Sequence, residues 1–190
     1  MEPGRAPEAT YVIDPRASQF TVQAFASGLI AAVAHSPKIA IRDWAAEIRF
    51  VPGTLANASF RATVKAASLE VLDEMRESDR RELHRVMHGE VLETARFSEI
   101  VFESSQIRSE KLKEDLYKVS IDGLLSLHGV TRGHSCSAQV AFGVDSFRAY
   151  GEFVLRQTDY DMHVANIAGG TLKLQDELKF SFYVVARTQV

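Results

Sequence analysis

The feature that most constrains this chain is a two-residue hydrophobic period that recurs along it. In "SQFTVQAF", Phe20 and Val22 share one face while Thr21 and Gln23 share the other. "KIAIRDWAAEIRFV" sets Ile39 with Ile41, then Trp44 with Ile48 and Phe50. "LANASFRATVKAASL" groups Phe60, Ala62 and Val64, and "LYKVSIDGLLSL" groups Tyr117, Val119, Ile121, Leu125 and Leu127. "SEIVFESSQIRS" and "AQVAF" are further strand segments. "FRAYGEFVLRQ" aligns Phe147, Phe153 and Leu155, and "ELKFSFYVVAR" aligns Leu178, Phe180, Phe182 and Val184. Successive strand side chains point to opposite faces, so the alternation predicts strands with one dry and one wet face. The phase break at Arg42-Asp43 predicts a tight turn or a bulge. Eight or nine such strands predict an all-β antiparallel sheet. A sheet this long either curls into a barrel or splits into a sandwich, because open edges are a liability. The expected fold is an extended antiparallel β-barrel of about eight strands, with one main helix.

That helix is predicted over "SDRRELHRVMHGEVL", where Leu83, Val86, Met87 and Val91 fall at helical spacing. Ser78 is the expected N-cap and Asp79 sits in the first turn. "MHVANIAGG" predicts a short helix or ordered loop ending at Gly169-Gly170. Residues 1–9 read as a loose leader and residues 10–190 as one domain. The chain's 190 residues suffice for a substantial core. No apolar run approaches the roughly 20 residues of a transmembrane helix. The first residues lack a basic and apolar export signal, so the expected location is cytoplasmic, or periplasmic if a leader has been removed. A net charge of -3 with both signs interspersed gives no nucleic-acid footprint. The lone Cys136 excludes an internal disulfide and a thiolate zinc cluster, and it suits a reducing compartment.

Discrete chemistry is sparse. His84 and His88 stand at i and i+4, but Arg85 follows the first histidine where a metalloprotease needs glutamate. They read as a solvated helix face, and no metal is expected. His35, in "AVAHSPKIAI", is either a satisfied structural residue or a polar group at a barrel mouth. His128 falls just outside the Leu125/Leu127 face, directed to solvent or into a turn that Gly129 permits before Thr131 resumes a strand. Cys136 and His134 share a strand face at i, i+2 but lack a third group, so no catalytic set forms. No Gly-rich phosphate loop follows a strand, and no cofactor is implied. The dry face itself remains: Phe20, Val22, Trp44, Phe50, Leu125, Leu127, Phe142, Phe153, Leu155, Phe180 and Phe182 converge inside a barrel. The residues alone leave a filled core and an apolar pocket equally open.

A resemblance narrows the choice. "DGLLSLHGVTR" resembles the Gly-x-Leu-x-x-x-Gly-Val-Thr hallmark of the YceI-like family, the polyisoprenoid-binding, lipocalin-like proteins. "YVIDPRASQFTV", "SDRRELHRVMHGEVLETARFSEIVFES", "GEFVLRQTDYDM" and "LQDELKFSFYVVAR" resemble further family segments in the family's order, across nearly all of residues 10–188. Where the family's first long strand carries Val-x-His, this chain has Val22-Gln23-Ala24, with His35 appearing later. Ser98 replaces a proline and Asp161 a glycine. The resemblance implies a lipocalin-like barrel that binds a long-chain amphiphilic lipid without catalysis. A polyisoprenoid, an isoprenoid quinone or a fatty-acid-like chain would be stored, transported or sequestered. Gly129 to Thr131 is then a structural signature. His35, Arg156 and Asp159 are the expected head-group residues at the mouth. Two alternatives stand beside this: a filled-core interaction module, pairing as a homodimer through a strand edge, and an enzyme using His35 or the Cys136/His134 pair on a lipid-like substrate.

Overall fold

The computed structural model describes residues 9–27, 36–51, 55, 57–167 and 172–188. Its strands are β1 (Ala9–Ile13), β2 (Gln19–Ser27), β3 (Lys38–Ile41), β4 (Trp44–Phe50), β5 (Ser59–Lys65), β6 (Leu69–Val71), β7 (Glu99–Lys113), β8 (Leu116–Leu127), β9 (Val130–Phe142), β10 (Ser146–Arg156), β11 (Asn166–Ile167) and β12 (Leu172–Thr188). The helix α1 (Glu77–Val86) continues into a π-helical turn over Met87–Val91.

Antiparallel pairing runs β1-β4-β5-β7-β8-β9-β10-β12, and β12 returns to β1, closing an eight-stranded barrel. The 17-residue β12 serves two partners on that side: Ala186 to Thr188 pair with β1, and Lys173 to Tyr183 pair with β2. β2, β3 and β6 then prolong the wall beyond β1, β4 and β5. The phase break at Arg42-Asp43 is therefore a bend in a continuing wall. β3 pairs with β2 and β6, whereas β4 pairs with β1 and β5. Bulges in β7 at Ser104/Gln106 and in β12 at Leu174/Leu178 reset the alternation, which is why Phe102 and Ile107 both face inward across five residues.

The helix lies at the β6 end. Arg80 donates to the carbonyls of Val71 (2.7 Å) and Asp73 (2.8 Å). The expectation of a solvated histidine face is corrected here. The Val71 amide donates to His84 Nε2 (3.4 Å), and His88 Nε2 bonds the Leu69 carbonyl (3.0 Å), so both imidazoles pin the helix to β6. Ser78 is not the cap either. Arg76 is the N-cap residue, and the Ser78 hydroxyl donates to Asp79 one residue inside the helix.

The β8–β9 connection consists of His128 and Gly129, at φ 52° and 76°. Positive φ at both positions is what a two-residue hairpin requires for its twist to match the strands. The His128 side chain is 9% exposed and ties the turn to two other segments. Its Nε2 lies 2.7 Å from Glu93 Oε2, its Nδ1 lies 3.2 Å from the Tyr160 carbonyl, and its ring centre is 4.4 Å from that of Phe97.

Among the described residues the two largest apolar cores occupy the two ends. One gathers Val22, Leu69, Val71, Met87, Leu127 and Met162 beside the helix. The other gathers Tyr11, Phe50, Val119, Phe147 and Val184, with Tyr11 stacked on Phe50 at 4.6 Å. Between them inward glycines keep the wall thin. A Cβ on Gly123 would lie 2.4 Å from the Glu103 carbonyl oxygen and 2.5 Å from Phe102 Cζ, whereas one on Gly133 would meet nothing within 4 Å. Gly123→Ala should cost about 2–3 kcal/mol in urea unfolding and Gly133→Ala less than about 0.5 kcal/mol. Equal costs would contradict the wall geometry.

Candidate functional site in the barrel lumen

Closure of the sheet points every second side chain into a lumen. The end cores do not fill it. A cavity of about 280 Å³, the space in which the centre of a water molecule can move, extends from Phe147 and Val184 at one end to Leu83, Met87 and Met162 at the other. That volume is close to the ~300 Å³ at which small-molecule pockets begin, and its drawn-out form suits a slender chain better than a compact ligand.

Aromatic rings make the middle of this space. Phe20 has its ring centre 5.7 Å from Trp44, 6.2 Å from Phe180 and 6.5 Å from Phe182. Phe153 stacks on Phe180 at 4.7 Å. These rings point inward yet are only half-buried, because besides one another they border the cavity. Every apolar residue expected on the dry face, from Phe20 to Phe182, lines it.

The expected head-group residues are placed differently. Arg156 is exposed, because Leu155 takes the inward position on β10 and the next side chain must point out. Asp159 is exposed in the 3-10 turn Gln157–Tyr160, 4.0 Å from Arg132. Neither lines the cavity. His35 lies outside the described residues.

Apart from the indole N–H of Trp44, polar lining is confined to three side chains among the described residues: His134, Cys136 and Gln157. Gln157 is 2% exposed, and its amide donates to the Gln175 (3.0 Å) and Asp176 (3.3 Å) carbonyls that the β12 bulge turns away from the ladder. It is a structural pin that the sequence reading missed, since nothing in "VLRQTDY" separates a buried glutamine from an exposed one. His134 and Cys136 follow the inward alternation of β9 through Ala138 and Val140. The His134 ring stands 5.2 Å from Phe153, and burial holds its pKa below the ordinary 6.5. Its Nε2 is shielded and has no hydrogen-bond partner among the described residues. Burial, aided by the Asp122 charge, pushes the Cys136 thiol up to about 11. An attacking thiol needs the opposite shift.

A family profile described as the YceI-like domain matches residues 11–186. Among solved structures, Burkholderia cenocepacia BcnA is similar at a TM-score of 0.70 and 16% identity, covering 91% of this chain and 98% of its own. A polyisoprenoid binding domain from Saccharophagus degradans, implicated in plant cell wall breakdown, is similar at 0.66 and 12% identity, covering 95% and 99%. The Campylobacter jejuni YCEI protein follows at 0.59 and 16% identity, covering 83% and 87%. No curated protein matches the chain significantly in sequence. Among the described residues no helix is long and apolar enough to cross a membrane.

The thiol offers a probe of the lumen. With its pKa near 11, Cys136 should react with iodoacetamide at pH 8 about a hundredfold more slowly than an open cysteine, and the rate should climb toward pH 11. Fast labelling at pH 8 would contradict an apolar lumen around the thiol.

Proposed function

This chain belongs to the YceI-like domain family, and from that premise we propose that it binds a long-chain amphiphilic lipid in the barrel lumen without catalysing a reaction on it. The observation that carries this reading is the lining. The cavity runs between two apolar cores and, among the described residues, no aspartate, glutamate, lysine or arginine borders it. Burying a methylene group stabilises a complex by roughly 0.8 kcal/mol, so a chain of some twenty carbons gains on the order of 10 kcal/mol before ordering costs. A polyisoprenoid, an isoprenoid quinone or a fatty-acid-like chain all satisfy that chemistry. The polyisoprenoid binding attributed to the Saccharophagus degradans domain favours the first. Storage, transport or sequestration follows from tight, passive burial.

The non-enzymatic reading is supported by the protonated thiol and the neutral imidazole, which lack an orienting carboxylate within the lining. Arg156 and Asp159 stand outside the lumen where β10 passes into its 3-10 turn, so they can meet only a head that stays outside.

Trp44 is the sole tryptophan and borders the cavity, so its emission reports occupancy. Geranylgeraniol should quench it with micromolar or tighter affinity. Ala62→Phe, which places a ring in the lumen beside Phe102, should weaken binding by about tenfold or more while leaving the far-UV circular dichroism unchanged. Equal affinity in both proteins would overturn the reading.

A further inference from the structure

The lipid-binding reading leaves one arrangement without a role, and the inference drawn from it here rests on that reading. Two polar side chains, His134 and Cys136, share the inward face of β9 in a lumen that, among the described residues, is otherwise apolar apart from Gln157 and the indole N–H of Trp44. Gln157 is already engaged by the β12 carbonyls. His134 is not: its Nε2 is shielded from solvent with no partner among the described residues. A buried polar atom left in that state opposes folding, and an apolar side chain at the same position would line the lumen without the penalty.

The wall is relaxed at this point. The β9–β10 ladder covers Phe142 to Gln139 against Phe147 to Tyr150, and the His134–Phe153 contact lies beyond its end. The Phe153 ring stands 5.2 Å from the imidazole in an edge-on contact. Burial keeps both polar groups uncharged, lowering the imidazole pKa and raising that of the thiol. A neutral imidazole presents one N–H and one bare nitrogen, and a thiol adds a weak donor. Those groups suit an oxygen that is itself neutral. An ionised carboxylate or phosphate here would lose its hydration and, among the described lining residues, would find no cation.

We propose that His134, with Cys136 beside it, forms a polar station inside the lumen that hydrogen-bonds a neutral hydroxyl or carbonyl oxygen borne on the bound chain. The barrel then selects neutral oxygenated lipids over ionised ones of the same length.

The test is a chain-matched series read by Trp44 emission: geranylgeraniol, the corresponding C20 hydrocarbon, and geranylgeranyl diphosphate. The native protein should bind the alcohol about tenfold more tightly than the hydrocarbon, and more tightly than the diphosphate. His134→Phe should lose the preference for the alcohol over the hydrocarbon, while His134→Gln should retain part of it. An unchanged preference in His134→Phe would overturn the proposal, and so would a native protein that binds all three chains alike. A second readout needs no variant. Geranylgeraniol should shift the His134 imidazole 15N resonances in the native protein, and unmoved resonances with the alcohol bound would also overturn the assignment. Failure of every chain to bind would remove the lipid-binding reading and this inference together. Binding without head-group preference removes this inference alone.

Discussion

The fold depends on the hydrogen-bonded closure of β1 against the last residues of β12. Tyr11, Val12 and Ile13 pair with Thr188, Arg187 and Ala186, and that short ladder turns an open sheet into a barrel. Closure removes the free edge between the first and last strands of the wall and sends one face of every strand to the same axis. An eight-stranded barrel stands at the size where side chains can either fill the interior or leave room for one ligand. Here the residues decide for room. Gly123 and Gly151 face the wall where the rings of Phe102 and Phe182 lie across them, and Ala62 and Ala138 also border the lumen. The aromatic rings along the middle stand around the axis rather than across it, so the space survives between the two end cores.

The same economy governs the polar groups. A buried polar group is costly unless it is paired, and away from the β9 pair several are held for structural ends. Gln157 satisfies carbonyls that a bulge releases. His84 and His88 hold the helix against β6. His128 joins its turn to Glu93 and Tyr160. Charge stays on the outer face, where pairs such as Arg42–Glu70 and Arg85–Glu82 are about half-exposed. Exposed pairs of this kind contribute little to stability, so the barrel rests on its apolar ends and its closed ladder.

Much of this was legible in the sequence because strand alternation is a local property. The inward positions of Phe20, Trp44, Phe153, Phe180 and Phe182 follow from counting by two, and each lines the cavity. The same count carried back along β9 reaches Cys136 and His134, whose inward placement needed no further signal. What stayed illegible depends on partners distant in the chain. The break at Arg42-Asp43 is a wall bend only because β3 and β4 pair with different strands. The role of His128 depends on Glu93, 35 residues away. The outward direction of Arg156 follows from the inward Leu155 beside it. The bulges at Ser104/Gln106 and Leu174/Leu178 left no mark in composition.

The central claim is that the lumen is a chain-binding space rather than a residue of imperfect packing. Native mass spectrometry of the protein purified from cells, followed by organic extraction, tests it most directly. The account predicts a stoichiometric adduct that extracts as a prenyl or acyl chain. A bare mass that takes up neither added quinone nor added polyprenol would contradict it.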